Sequence, residues 1–216
     1  MYNRVKTYLY TPVSKLHRWE VIFLVALAAA VLCCGWLSLR QSQLASRMVR
    51  LHVIANSDSA EDQSLKLLVR DAVLAEASGY LEGVEDAGQA AAVLEDHLTE
   101  LAAAGQAVVE EQGYHYSVSA TVDVSHFPTK SYDGFALPAG NYRALRVRIG
   151  DGAGQNWWCV VFPSLCVAPA SDWEDTAVSG GLTEGDVGLM SGADEGYELR
   201  FKCLELWDRL VNGMQE

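Results

Sequence analysis

The stretch Arg50 to Glu76, RLHVIANSDSAEDQSLKLLVRDAVLAE, decides the fold because its apolar period changes midway. From Val49 to Ala55 the residues are mostly β-branched or aliphatic, a run of the length expected for one largely buried strand. Asn56-Ser57-Asp58-Ser59 interrupts that run, and two pairs behind it have helix-capping spacing, Asp58 with Glu61 and Ser59 with Asp62. Beyond the cap, Leu65, Leu68, Val69, Ala72 and Val73 recur at helical spacing as one stripe, with Glu61, Lys66, Arg70 and Asp71 off it. A strand followed by a one-sided helix calls for a sheet beneath that stripe.

Toward the N-terminus the character changes. Residues 1–50 carry seven Lys or Arg against one Glu, and residues 51–216 carry nine against twenty-seven acids, so the net −12 divides into +6 and −18. An acidic part of that size has no footprint for a phosphate backbone, and nucleic-acid binding is set aside. Residues 1–20 read as a basic cytoplasmic tail holding Arg4, Lys6, Lys15 and Arg18. Val21 to Leu39, VIFLVALAAAVLCCGWLSL, is uncharged over nineteen residues, and at ~1.5 Å per residue nearly spans a ~30 Å hydrocarbon core. Trp19 and Trp36 stand near its ends, where interfacial aromatics belong. No small-residue cleavage site follows, so an uncleaved signal anchor is expected, with 40–48 as linker and 49–216 as one domain at the cell membrane. Charge alone leaves the orientation open, because Arg40, Arg47 and Arg50 nearly balance the basic residues before the span, and the extracytoplasmic side is the expectation.

Toward the C-terminus, Gly79 to Gly88 reads as a loop. A second helical segment follows, containing Ala90, Val93, Leu94, His97, Leu98 and Leu101 and breaking or kinking at Gly105. Tyr114 to Ser125 alternates strictly, with Tyr114, Tyr116, Val118, Ala120, Val122 and Val124 on the buried face. Arg143 to Ile149 and Asn156 to Phe162 read as a hairpin around Gly150-Asp151-Gly152-Ala153-Gly154. The acidic segment 168–196, with six glycines, reads as a surface loop, and Glu198 to Val211 as a closing helix. The fold expected is α/β (α+β): a mostly antiparallel sheet in β-α-α-β-β-β-α order, covered by helices.

The glycines at 150, 152 and 154 precede a strand rather than a helix, so they mark a turn and not a phosphate loop. His52, Asp58 and Asp62 could be assembled into a metal or acid–base site, yet capping accounts for the acids and one strand face for the histidine. An anchored hydrolase using His52 with Asp58 or Asp71 stays as the competing class, and a membrane-to-wall adaptor as a third. Catalytic residues, metal, cofactor and small-molecule substrate are otherwise not expected. Cys159 and Cys166 are either a disulfide or two buried thiols, the bridge gaining weight outside the cytoplasm. Arg50, His52, Asn56 and Asp58 place polar groups on a strand end where a core needs none, and Trp157 with Trp158 supplies an apolar anchor; these six form the expected partner-binding set.

The strings RLHVIANSDSAEDQSLKLLVRDAVL, FPTKSYDGFALPAGNYRALRVRIGDGAGQNWWCVVFPSLC and RFKCLEL closely resemble the stage II sporulation protein R family of endospore-forming bacteria. The likeness covers Val49 to Cys166 and the last helix. It implies a signalling protein made in the forespore and exported to the space between forespore and mother cell. There it would activate a membrane-embedded aspartic protease, its partner, which matures sigma factor E from its precursor.

Overall fold

The structure, a computed structural model, describes residues 18–166 and 171–191. The chain begins with helix α1, Arg18–Ser46, and enters β1, Val49–Ile54. Three helices follow: α2 (Ala60–Tyr80), α3 (Ala87–Asp96) and α4 (Leu98–Glu111). Then come β2 (Val118–Phe127), the short pair β3 (Lys130–Ser131) and β4 (Ala136–Leu137), β5 (Gly140–Ile149) and β6 (Asn156–Phe162). Two short helices complete the described residues, α5 (Trp173–Ser179) and α6 (Glu184–Met190).

The main sheet has the order β2-β5-β1-β6. The β2–β5 and β1–β6 pairs are antiparallel, and the central β1–β5 pair is parallel. The architecture is therefore the mixed α/β class with a mostly antiparallel sheet. On one face, Leu51, Val53, Leu145, Val147 and Ile149 bury against Leu65, Val69 and Val73 of α2, Leu94 of α3 and Leu101 and Val109 of α4. On the other, Phe127, Tyr142, Ala144 and Val160 bury against Leu44 and Ala45 of α1, Trp173 and Ala177 of α5 and Met190 of α6.

Several expectations are corrected. The segment 40–48 is not a linker over most of its length: α1 runs to Ser46, and Leu44 and Ala45 are buried in the second core. The second helical segment breaks at His97, which separates α3 from α4, while α4 passes through Gly105 unbroken. A Cβ at Gly105 would lie 3.1 Å from both Val69 and Val118, so this glycine lets α4 press against α2 and β2. On α2, Leu68 is exposed whereas Lys66 and Asp62 are buried. Val124, on the edge strand β2, is 70% exposed. Within 168–196 the described part forms α5 and α6, anchored by Trp173 and Met190. The helix expected over Glu198 to Val211 lies outside the described residues.

Candidate interaction surface

The polar turn after β1 is a clamp. Ser59 is the N-cap of α2, its hydroxyl accepting from the Asp62 amide at 3.1 Å. The Asp62 carboxylate turns inward and accepts from Asn56 Nδ2 at 2.9 Å and Ser57 Oγ at 2.6 Å. Burial pushes its pKa up, but the hydrogen bonds from Ser57, Asn56 and Tyr116 outweigh burial and hold it below the usual carboxylate value. Asn56 Oδ1 accepts from the Asp151 amide at 3.0 Å, and Asp58 Oδ1 from the Gln155 amide at 2.7 Å. Asn56 and Asp58 therefore tie the β5–β6 turn to the end of β1. Both belonged to the expected docking set, and the hydrogen bonds they make here are structural.

Arg50 departs further from expectation. Its side chain is wholly buried, at 0% exposure. Nε donates to the Cys159 carbonyl at 2.9 Å and Nη2 to the Tyr132 hydroxyl at 2.7 Å, which donates in turn to the Trp158 carbonyl at 3.0 Å. The guanidinium lies over Phe127 at 4.4 Å and Tyr142 at 5.0 Å from the ring centres. Nη1 has no partner among the described residues. A residue so enclosed cannot touch a partner directly.

The tryptophans part company as adjacent strand residues must. Trp157 is in register with Val53 and lies toward α2, where Arg70 covers its ring at 4.4 Å. Trp158 is in register with His52 on the opposite face, with Lys130 Nζ 5.3 Å from its ring centre. Of the six expected residues, His52 and Trp158 share one open surface and the other four do not join it. Cys159 and Cys166 form a disulfide with Cα atoms 5.5 Å apart, which pins the turn after β6 beside Val160. The outer side of this region is a groove of about 260 Å³ whose lining includes Tyr132, Phe135, Trp157, Leu165 and Trp173.

Among the described residues, the sheet face bearing His52 is covered only in part. The second core closes it around Arg50, Tyr142 and Val160. Beyond them the register sets out two open rows: Trp158, His52, Arg146 and Thr121, then Asn156, Ile54, Arg148 and Ser119. In the neutral imidazole, His52 Nε2–H donates to Asn156 Oδ1 at 2.8 Å. Nδ1 is buried with no partner among the described residues. Partial burial lowers the His52 pKa, the Asn156 hydrogen bond raises it, and the cations Arg146 and Arg50 lower it against Asp123; the net direction is down. Arg146 pairs with Asp123 at 2.9 Å.

Acid–base or metal chemistry finds little here. Asp58 is engaged at the turn, and Asp71 pairs with Arg70 at 2.7 Å on α2, which covers the opposite sheet face from His52. Among the described residues no group of three or more His, Cys, Asp or Glu side chains could hold a metal ion. Sequence reasoning did not include Asn156, Lys130, Arg146 and Arg148 in this surface. The alternation of Arg146 and Arg148 with Leu145, Val147 and Ile149 was its visible signal.

The family model described as stage II sporulation protein R matches residues 45–172. Stage II sporulation protein R of Bacillus subtilis (strain 168) is 40% identical over 126 residues, 58% of this chain and 56% of that protein. The match thus spans a little over half the length of that curated relative. No solved structure matches.

Proposed function

The chain belongs to the stage II sporulation protein R family, and from that premise we propose that it is an exported sporulation signal that acts by binding. Its domain lies outside the cytoplasm, between forespore and mother cell. Its partner is a membrane-embedded aspartic protease, which it activates to process the sigma factor E precursor in the mother cell. The family match over residues 45–172 carries this reading. Two features support it. One is α1, a helix long and apolar enough to cross a membrane, with its most apolar window unburied. The other is the engagement of Asp58 and Asp71 in structural bonds away from His52, which takes from the hydrolase alternative the two acids named for it. The test is deletion of the gene followed by immunoblotting for the sigma factor precursor during sporulation. Accumulation of uncleaved precursor is expected, and normal maturation in the deletion strain would end the proposal.

A further inference from the structure

Cations are scarce in residues 51–216, nine against twenty-seven acids, so where they collect is informative. Six of them lie in the described residues: Lys66, Arg70, Lys130, Arg143, Arg146 and Arg148. Lys66 is buried, donating to Gln63 and to the Gln155 carbonyl. Arg70 covers Trp157 on the helix side, and Arg143, in register with Val124, lies on that side too. Of the remaining three, Arg146 and Arg148 lie on the opposite sheet face, on the half that the described residues leave open, and Lys130 reaches its edge from β3 over Trp158.

Nothing in the packing requires them there. Arg146 alone of the three has an ion-pair partner among the described residues, Asp123. Arg148 is exposed, with its stem lying over Gly152, where a Cβ would fall 2.6 Å from its Cγ. Lys130 sits over Trp158, whose ring is flanked by the His52 ring at 5.9 Å. An indole beside cationic side chains, with Thr121, Ser119 and Asn156 as polar neighbours, has the composition of a recognition surface.

We infer that this face, centred on Arg146, Arg148, Lys130 and Trp158, docks an acidic segment of a protein partner. The charge of the whole domain selects that occupant over an anionic bilayer or a nucleic acid. An extended polyanion covers more than this patch and so comes within the ~8 Å Debye length of the acids on the rest of a domain whose net charge is −18. A short acidic peptide laid on the patch feels chiefly Lys130 and Arg148, with Arg146 partly neutralised by Asp123. The inference rests on the signalling reading only for its readout in cells.

The test uses the full-length chain in phosphatidylcholine nanodiscs and a fluorescein-labelled peptide of alternating Glu and Thr, with a Lys/Thr peptide as control. Fluorescence anisotropy should show salt-sensitive binding of the Glu peptide alone. Lys130→Glu combined with Arg148→Glu should weaken it by roughly tenfold or more, because like charges then face each other. Arg143→Glu, the same change on the opposite face, should leave it unaltered. Circular dichroism and melting temperature establish that each variant is folded. Binding unchanged in the double variant, no binding by the unaltered chain, or tighter association with phosphatidylglycerol vesicles than with the peptide would each overturn the inference. In sporulating cells the double variant should block precursor processing and Arg143→Glu should not. If deletion of the gene blocks processing while the folded, exported double variant restores it, the docking surface is wrong and the signalling role stands. If deletion has no effect, the signalling role fails whatever the peptide does.

Discussion

His52 shows how one side chain can carry both packing and charge on a half-covered sheet. Its ring is held by Asn156, edged by Phe127 and tilted against Trp158, with Nδ1 unsatisfied among the described residues. Protonation would place a proton on an enclosed nitrogen with no acceptor, beside Arg146, so the folded pKa falls below the ordinary 6.5. The sign of the linkage follows. Between the lowered folded value and ~6.5 the unfolded chain binds more protons, so stability is complete above that window and declines as the pH drops through it. Denaturant midpoints should therefore fall from pH 7.5 to 5.5 in the unaltered protein, and His52→Gln should flatten that slope. An equal slope in both proteins would assign it to other groups. Asp62, with its pKa held down, contributes above ~3.8 and loses its part only at lower pH, so the two effects separate. Residue roles were the least legible part of the sequence. Arg50 and His52 occupy equivalent strand positions, and only the long-range placement of Phe127, Tyr132 and Tyr142 encloses one and leaves the other half open. Lys66 reads as a solvated helix residue until the Gln155 carbonyl arrives from across the chain to accept its hydrogen bond.

Elements were easier to read where local period and burial coincide. β1, α2, β5 and β6 follow their hydrophobic spacing to within a few residues, because the core they face is the same on every turn or pleat. Gly105 misleads because a glycine that breaks a helix and a glycine that lets two helices touch look alike without their neighbours. α5 and α6 are short and acidic, with too few turns for a period to emerge. Their signal was the T-x-x-D of Thr183 and Asp186, which closes a capping box. At this scale the disulfide makes a distinct prediction. The separation of Cys159 and Cys166 is 7 residues, and closing so small a loop should be worth about 2–3 kcal/mol in the chain-entropy model. Urea titration of the oxidised protein against a Cys159→Ser, Cys166→Ser variant measures it. A stability loss far above that range would mean that the bridge also maintains the Arg50 contact to the Cys159 carbonyl.

For the whole molecule, the fold class was legible and the strand order was not. Pairing of β1 with β5, with Arg50 opposite Ala144 some 94 positions along the chain, depends on which apolar faces meet rather than on any local pattern. The proposed topology predicts that protease added to intact protoplasts will digest the domain after α1, with complete protection arguing for the opposite orientation. One feature also bears on how such a domain would be presented. α1 continues without a break from its apolar stretch into the second core, where Leu44 is fully buried, Gln41 donates to the Ala139 carbonyl and Arg47 pairs with Asp186. A domain joined in this way is carried on a mast rather than a leash. Its 29 helical residues, ~1.5 Å each, measure ~43 Å, so a ~30 Å bilayer leaves only the last turns in the open. Tilting the domain then means tilting the helix, and the freedom left to it is chiefly rotation about the membrane normal and drift in the plane. If α1 spans a membrane and the proposed docking holds, a partner would meet the sheet face at a set height and angle, and the encounter would become a search over a surface instead of a volume.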